Sequence, residues 1–285
     1  MMLNKQKTRV AMVAGLVGFG SMAMAQPAED KSQYHLFNPT PDELMRDLSA
    51  DRPDATESPV TVDAGHYQLE VSFVDYSHND HEGEQVNAWN ILDSNIKVGL
   101  LNNVDLQLVV TAYTEEESDT TGAPSETING FGDITLRTKV NLWGNDGGET
   151  AFGVMPFVKL PSGGEVSNGH VEGGFIAMLG WDVAETWGLG FQAEVDAVYD
   201  EEDGDHHTEW SHTTVLGFDV AGPLGAYVEY LGIISTDSGT EYQAVFSGGL
   251  TWQVHANLVF DVGTQIGLNS EAEDMSLFAG MTVRF

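Results

Sequence analysis

Leu277-Phe278-Ala279-Gly280-Met281-Thr282-Val283-Arg284-Phe285 closes the chain, and its alternation decides the fold. Counting back from Phe285, every second residue (Val283, Met281, Ala279, Leu277) is apolar, while Arg284, Thr282 and Gly280 fall on the opposite side. A strand of period two has one oily and one wet face. An alternating last strand that stops on an aromatic has the pattern of the closing strand of a transmembrane β-barrel. The oily face then meets lipid and the wet face lines the interior.

The same pattern recurs from Gly65 onward in about twelve segments of ten to fourteen residues. Tyr67, Leu69, Val71 and Phe73 oppose Gln68, Glu70 and Ser72. Val104, Leu106, Leu108 and Val110 oppose Asp105, Gln107 and Thr111, and Ile134, Leu136 and Val140 oppose Asp133, Thr135, Arg137 and Lys139. Further on, Leu258, Phe260, Val262 and Ile266 oppose Asn257, Asp261 and Gln265. Sandwich strands alternate too but run nearer 5–6 residues, so segment length favours a barrel. Tight turns at 101–103, 144–148, 184–186, 221–223 and 254–255 interleave with longer polar stretches at 78–86, 115–130, 161–170, 200–208, 235–240 and 269–274. That is the connectivity of an up-and-down cylinder with an even strand number. The predicted fold class is all-β: a single antiparallel transmembrane β-barrel of about twelve strands over residues 63–285. Tyr76, Trp89, Tyr113, Tyr199, Trp210 and Tyr242 are expected at one rim, and Trp181, Trp187, Trp252 and Phe285 at the other.

The beginning of the chain is consistent with this. Lys5, Lys7 and Arg9 precede an apolar run from Val10 to Phe19, and Ala23-Met24-Ala25 offers a small-x-small cleavage site. Residues 1–25 read as a secretory signal peptide, and no later stretch has the ~20 apolar residues of a membrane helix. Residues 26–62 are rich in Pro, Asp and Glu, and form either a periplasmic tether or a plug at the barrel mouth. Within them Pro41 to Leu48 is a short helix candidate, with Thr40 as its cap and Pro41 at the first position.

After residue 25 come all 44 acidic residues but only eight Lys and Arg, and the chain has no cysteine. Disulfides and thiolate chemistry are excluded, and nucleic acid is excluded as a partner, because phosphate contact needs clustered cations. An acidic excess of this size suits a salty medium that screens repulsion beyond about 10 Å, and it favours cationic or neutral solutes over anions.

Around Asp51-Arg52-Pro53-Asp54-Ala55-Thr56-Glu57-Ser58-Pro59 and Gly65-His66-Tyr67-Gln68-Leu69-Glu70, the sequence resembles the outer-membrane family named after the meta-pathway of phenol degradation, whose members are often labelled simply as transporters. The likeness continues through Gly132-Asp133, Lys139, Leu160-Pro161-Ser162-Gly163, Val228-Glu229, Asp261, Gly267-Leu268-Asn269 and Arg284-Phe285, over nearly all of the chain after residue 25. The resemblance implies a barrel in the Gram-negative outer membrane that passes small, often hydrophobic or aromatic, solutes. Its expected partners are outer-membrane lipid and lipopolysaccharide, the barrel-assembly machinery, for which Met281, Val283 and Phe285 form the insertion signal, and a small-molecule solute. No cofactor is implied.

Strand parity places Glu70, Asp105, Arg137, Lys139, Glu194, Asp196, Glu229 and Asp261 inside the barrel. Arg137, the only mid-strand arginine, is expected to gather carboxylates from several strands, since its planar fork holds more than one. The result is either an ion-pair network that stiffens the interior or a charged constriction that selects solutes. Twelve strands lie between the eight of a filled barrel and the sixteen of an open porin, so the bore should be narrow or partly occluded. His206, His207 and His212, with nearby acids, are weak metal-site candidates, as neutral imidazole and carboxylate suit a transition metal. Ser211-His212 and Ser77-His78 are only sequence neighbours, which strand parity sends to opposite faces. No catalytic constellation is therefore expected, although an outer-rim pair such as Asp205 with His207 keeps a surface hydrolase open. A structural or surface-binding barrel without transport is the other alternative.

Overall fold

The computed structural model describes residues 30–81, 83–200, 204–237 and 240–285; the expected signal peptide lies outside them. Thirteen strands follow one another: β1 (Tyr67–His81), β2 (Glu84–Leu101), β3 (Val104–Thr120), β4 (Glu126–Gly130), β5 (Ile134–Trp143), β6 (Thr150–Leu160), β7 (Glu172–Ala184), β8 (Trp187–Asp200), β9 (Asp205–Ala221), β10 (Leu224–Ser235), β11 (Gln243–His255), β12 (Leu258–Gly267) and β13 (Met275–Arg284). Twelve of them close into an antiparallel cylinder in which β1 pairs with both β2 and β13. The extra strand, β4, pairs only with the far part of β3, between Thr114 and Ser118. Closure leaves the cylinder without an unpaired edge.

The burial pattern is the reverse of that of a water-soluble core. On β3, Asp105, Gln107 and Val109 are buried while Leu106 is 39% exposed. Val262 and Leu277 also face outward, and Gln68, Glu70, Asn95, Lys97 and Lys139 are enclosed. Buried charge with exposed leucine is the informative combination, and it is what alternation between lipid and a polar interior produces.

The short connections after β2, β5, β7, β9 and β11 lie at one end of the cylinder, here the turn end; the opposite end carries the long hairpins. Near the turn end three tryptophans each meet a phenylalanine of the neighbouring strand: Trp143 stacks on Phe152 (ring centroids 4.8 Å apart), Trp187 stacks on Phe218 (5.0 Å), and Trp252 lies tilted against Phe260 (6.4 Å). Trp143 joins the belt beyond the residues expected there. Toward the hairpin end Tyr76 meets Trp89 at 4.5 Å. Tyr199, expected at that rim, is half-buried and stacks on His170 at 3.4 Å.

Two local expectations are corrected. The helix over 41–48 is a single 3-10 turn, Asp42–Leu44, without a side-chain cap. A free-standing helix this short is marginal, and here its backbone is recruited elsewhere. The Arg46 amide donates to Asp63 Oδ2, and the Arg46 carbonyl accepts from Arg284. The stretches at 78–86, 115–130 and 200–208 are largely strand: β1 to β3 have 15, 18 and 17 residues and continue pairing up to a tight turn near Gly83. Backbone pairing does not require an apolar face, so polar composition there marks exit from the apolar band and not the end of the strand.

Candidate functional site

Residues 51–59 and 61–64 are all buried, and they lie against the inner wall of the cylinder. Apart from isolated bridges at Asp54 and from Ala64 to Gly99, this segment makes no ladder with the wall; side chains hold most of it. Burying so many polar groups is tolerable only if they find partners, and most of them do.

Asp51 is the central anchor. Its carboxylate receives Lys139 Nζ at 2.6 and 2.7 Å and is also paired with Lys97, which in turn contacts Glu70. Its own amide donates to Glu70 Oε1 at 3.0 Å. Burial alone would raise the Asp51 pKa, but Lys139 and Lys97 hold it below the ordinary carboxylate range. Arg52 makes a two-pronged contact with Asp261, at 2.7 and 3.2 Å, with its guanidinium 5.9 Å from the Phe278 ring centroid. Glu229 accepts the Ala55 amide at 2.9 Å and the Thr56 hydroxyl at 2.7 Å. The Thr56 and Thr213 hydroxyl oxygens are 2.6 Å apart. Farther along, Val62 donates its amide to Asp105 and Asn141 donates to the Pro59 carbonyl.

Arg137 behaves differently from expectation. Its Nη1 donates to Glu57 Oε1 at 2.7 Å, and its Nη2 and Nε donate to Gln107 Oε1 at 2.7 and 3.0 Å. Its carboxylate partner comes from the N-terminal segment, because that segment occupies the space in which wall carboxylates would have converged. Of the eight interior residues expected from parity, Glu70, Asp105, Arg137, Lys139, Glu229 and Asp261 all touch this segment. Glu194 and Asp196 do not; they line a separate cavity with Glu57 and Arg137. Lys97, Gln107 and Gln192 belong to the same network, and alternation alone would have pointed them inward.

Asp54 is the exception within the segment. Both its carboxylate oxygens are buried without a hydrogen-bond partner. Burial, and then the facing Glu229 carboxylate, push its pKa well above the usual value.

The wall makes room where the segment crosses it. A Cβ at Gly99 would collide with the Asp63 carbonyl, and one at Gly280 with the Arg52 guanidinium. Pro59 lies more loosely over Gly153 and Gly180, 3.1 and 3.3 Å from where a Cβ would stand, still tighter than ordinary contact.

Every Lys and Arg after residue 25 is in an ion pair. Lys31 and Arg46 meet Asp146 at the turn end, Arg46 and Arg284 meet Asp63, and Lys159 meets Glu172 inside the cylinder. The hairpin tips therefore carry acids with no lysine or arginine among them.

The histidines do not gather. His206, His207 and His212 lie on β9 and not in a loop. His206 bonds the Val171 carbonyl, His207 pairs with Glu209 at 3.2 Å, and His212 lies 3.3 Å from the Tyr242 hydroxyl. Among the described residues no group of three His, Asp or Glu is placed to hold a metal. Ser211 is buried while His212 is exposed on the adjacent position, and Asp205 bonds the His206 amide.

Comparisons bear on this geometry. An outer membrane channel from Pseudomonas putida F1 has a similar fold, with TM-score 0.59 and 13% identity over 82% of this chain and 99% of that one. NanC porin (TM-score 0.49, 10% identity, 76% of this chain and 98% of that one) and the CymD monoaromatic hydrocarbon channel (0.42, 7%, 77% and 88%) are more distant. Among curated protein sequences none matches significantly. The family model described as putative MetA-pathway of phenol degradation matches residues 50–285, from just before the Asp51 anchor through the last strand, and the chain belongs to that family.

Proposed function

We propose that this protein is a gated channel of the Gram-negative outer membrane, reached through a cleaved signal peptide over residues 1–25. In this reading residues 26–62 continue into a plug that seats inside the barrel with the turn end in the periplasm. Small solutes pass when the plug is displaced. One observation carries the reading: residues 51–63 lie inside the cylinder yet are held mainly by side-chain ion pairs and hydrogen bonds, with no strand ladder to the wall. Such a segment can leave without breaking one rung of the cylinder, whose own ladder is complete without it.

The charge distribution supports selectivity for neutral or cationic solutes. The mouth at the hairpin end is acidic with no lysine or arginine in its tips, and an anion entering it meets an unfavourable potential. Family membership and the shared fold with an outer membrane channel support transport over catalysis. Glu70, Asp105, Lys139, Glu229 and Asp261 are then seat residues of the gate, and Arg137 clamps Glu57.

Planar-bilayer recording of the refolded chain, full-length and lacking residues 26–63, tests this directly. Larger and steadier conductance after truncation is expected. Two silent barrels would overturn the channel reading in favour of a structural barrel.

A further inference from the structure

A cavity of about 640 Å³, its open mouth included, remains beside the seated segment toward the hairpin ends of β5 to β8. One side is apolar, formed by Val109, Phe157, Ile176 and Val198. The other is charged, and its cations are already engaged. Arg137 is committed to Glu57 and Gln107, and Lys159 to Glu172. Glu194 and Asp196, two residues apart on β8 and both lining the cavity, have no lysine or arginine paired to them among the described residues. Asp196 Oδ1 is buried without a hydrogen-bond partner. At the floor Glu57, 2% exposed, holds Arg137 through Oε1 while its Oε2 accepts no hydrogen bond.

Each solute class meets this arrangement differently. Glu194 already accepts hydrogen bonds from Gln192 and Ser211, which are neutral, so an anion would face two carboxylates with no lysine or arginine paired to them among the described residues. An uncharged hydrocarbon would fill the apolar side but strip water from Glu194 and Asp196 without replacing its hydrogen bonds, which is costly. A bare metal ion would leave the apolar wall unused. A solute with an apolar body and one ammonium group satisfies both sides, because a charge-assisted N–H to carboxylate contact is about twice as strong as a neutral one. We infer that this cavity is a binding site for small amphipathic amines, the ammonium held by Asp196 and Glu194 and the apolar body by Phe157, Ile176, Val109 and Val198. As a step on a transport path it rests on the channel reading; as a binding site it does not.

The test uses the full-length refolded protein and three probes of one shape: 2-phenylethylamine, 2-phenylethanol and phenylacetate. Calorimetric titration should find the amine bound about tenfold or more tighter than the alcohol, and phenylacetate weakest. Asp196→Asn and Glu194→Gln should each lower amine affinity about tenfold while leaving the alcohol unchanged. Equal affinity for all three probes overturns the inference, as does an amine preference that survives both substitutions. If the variants do not fold, the probe series on the unaltered protein decides by itself. Liposome swelling with glycerol, run in parallel, separates the two readings. Glycerol entry without amine preference removes this inference and leaves the channel; amine preference in barrels that admit nothing removes the channel and leaves the site.

Discussion

On β3, Leu106 and Leu108 face outward with no specific partner, while Asp105 and Gln107, one residue away, each have a named partner inside. The two faces of one strand thus differ in what they demand. Outside, any apolar residue of reasonable size serves, and the aromatic belts are a matter of depth. Inside, Asp105 must meet the Val62 amide and Gln107 must meet Arg137, so each residue is fixed by another far away in sequence. Substitutions on the inner face should therefore be specific and large in effect, and those on the outer face small and diffuse.

The sharpest way to break the comparison is to tether the two parts. With no natural cysteine to interfere, Thr56→Cys with Thr213→Cys should form a disulfide, as these hydroxyls already lie 2.6 Å apart. Oxidised protein should conduct nothing in bilayers, and reductant should restore current; conductance indifferent to reductant would break the gate model. Next in size is Asp51→Ala, which takes both close contacts from Lys139 and leaves Lys97 with Glu70 alone. Removing one partner from a buried ion pair costs about 3–5 kcal/mol, so this change should unseat the segment, raise open probability and lower the thermal midpoint.

A pH effect of intermediate size is expected from Asp54. Its pKa is raised when the segment is seated, first by burial and then by Glu229, so seating is favoured by protonation. That contribution is complete below the ordinary value of 3.8 and is lost as pH rises through the raised value. Open probability should climb with pH across that window. Asp54→Asn, neutral at every pH, should flatten the climb and favour the closed state. The smallest effect belongs to the outer face. Trp187→Ala, which unstacks Phe218, should cost about 1 kcal/mol in vesicle unfolding and leave conductance unchanged. A change in gating at that position would erase the distinction between the faces.

What was legible in the sequence follows the same division. Alternation is a local signal, and it places Glu70, Lys139 and Asp261 indoors without knowledge of the fold. It places Lys97 there too, between Ile96 and Val98. Partnership is not local. Arg52 and Asp261 are separated by 209 positions, and no spacing rule joins them. For the same reason Arg137 could be ranked as important but not matched to Glu57. The 41–48 helix failed because propensity describes a segment in isolation, and here Asp63 and Arg284 compete for its backbone.

The glycines at 99, 153, 180 and 280 amount to a negative print of the segment that lies on them. A strand facing only water inside a tube has no reason to give up a side chain at an inward position. Vacancies of that kind, traced from strand to strand, map the track of an internal occupant before any coordinates exist. Swapping each one for alanine would then read as a footprinting experiment, with displacement of the occupant as the signal.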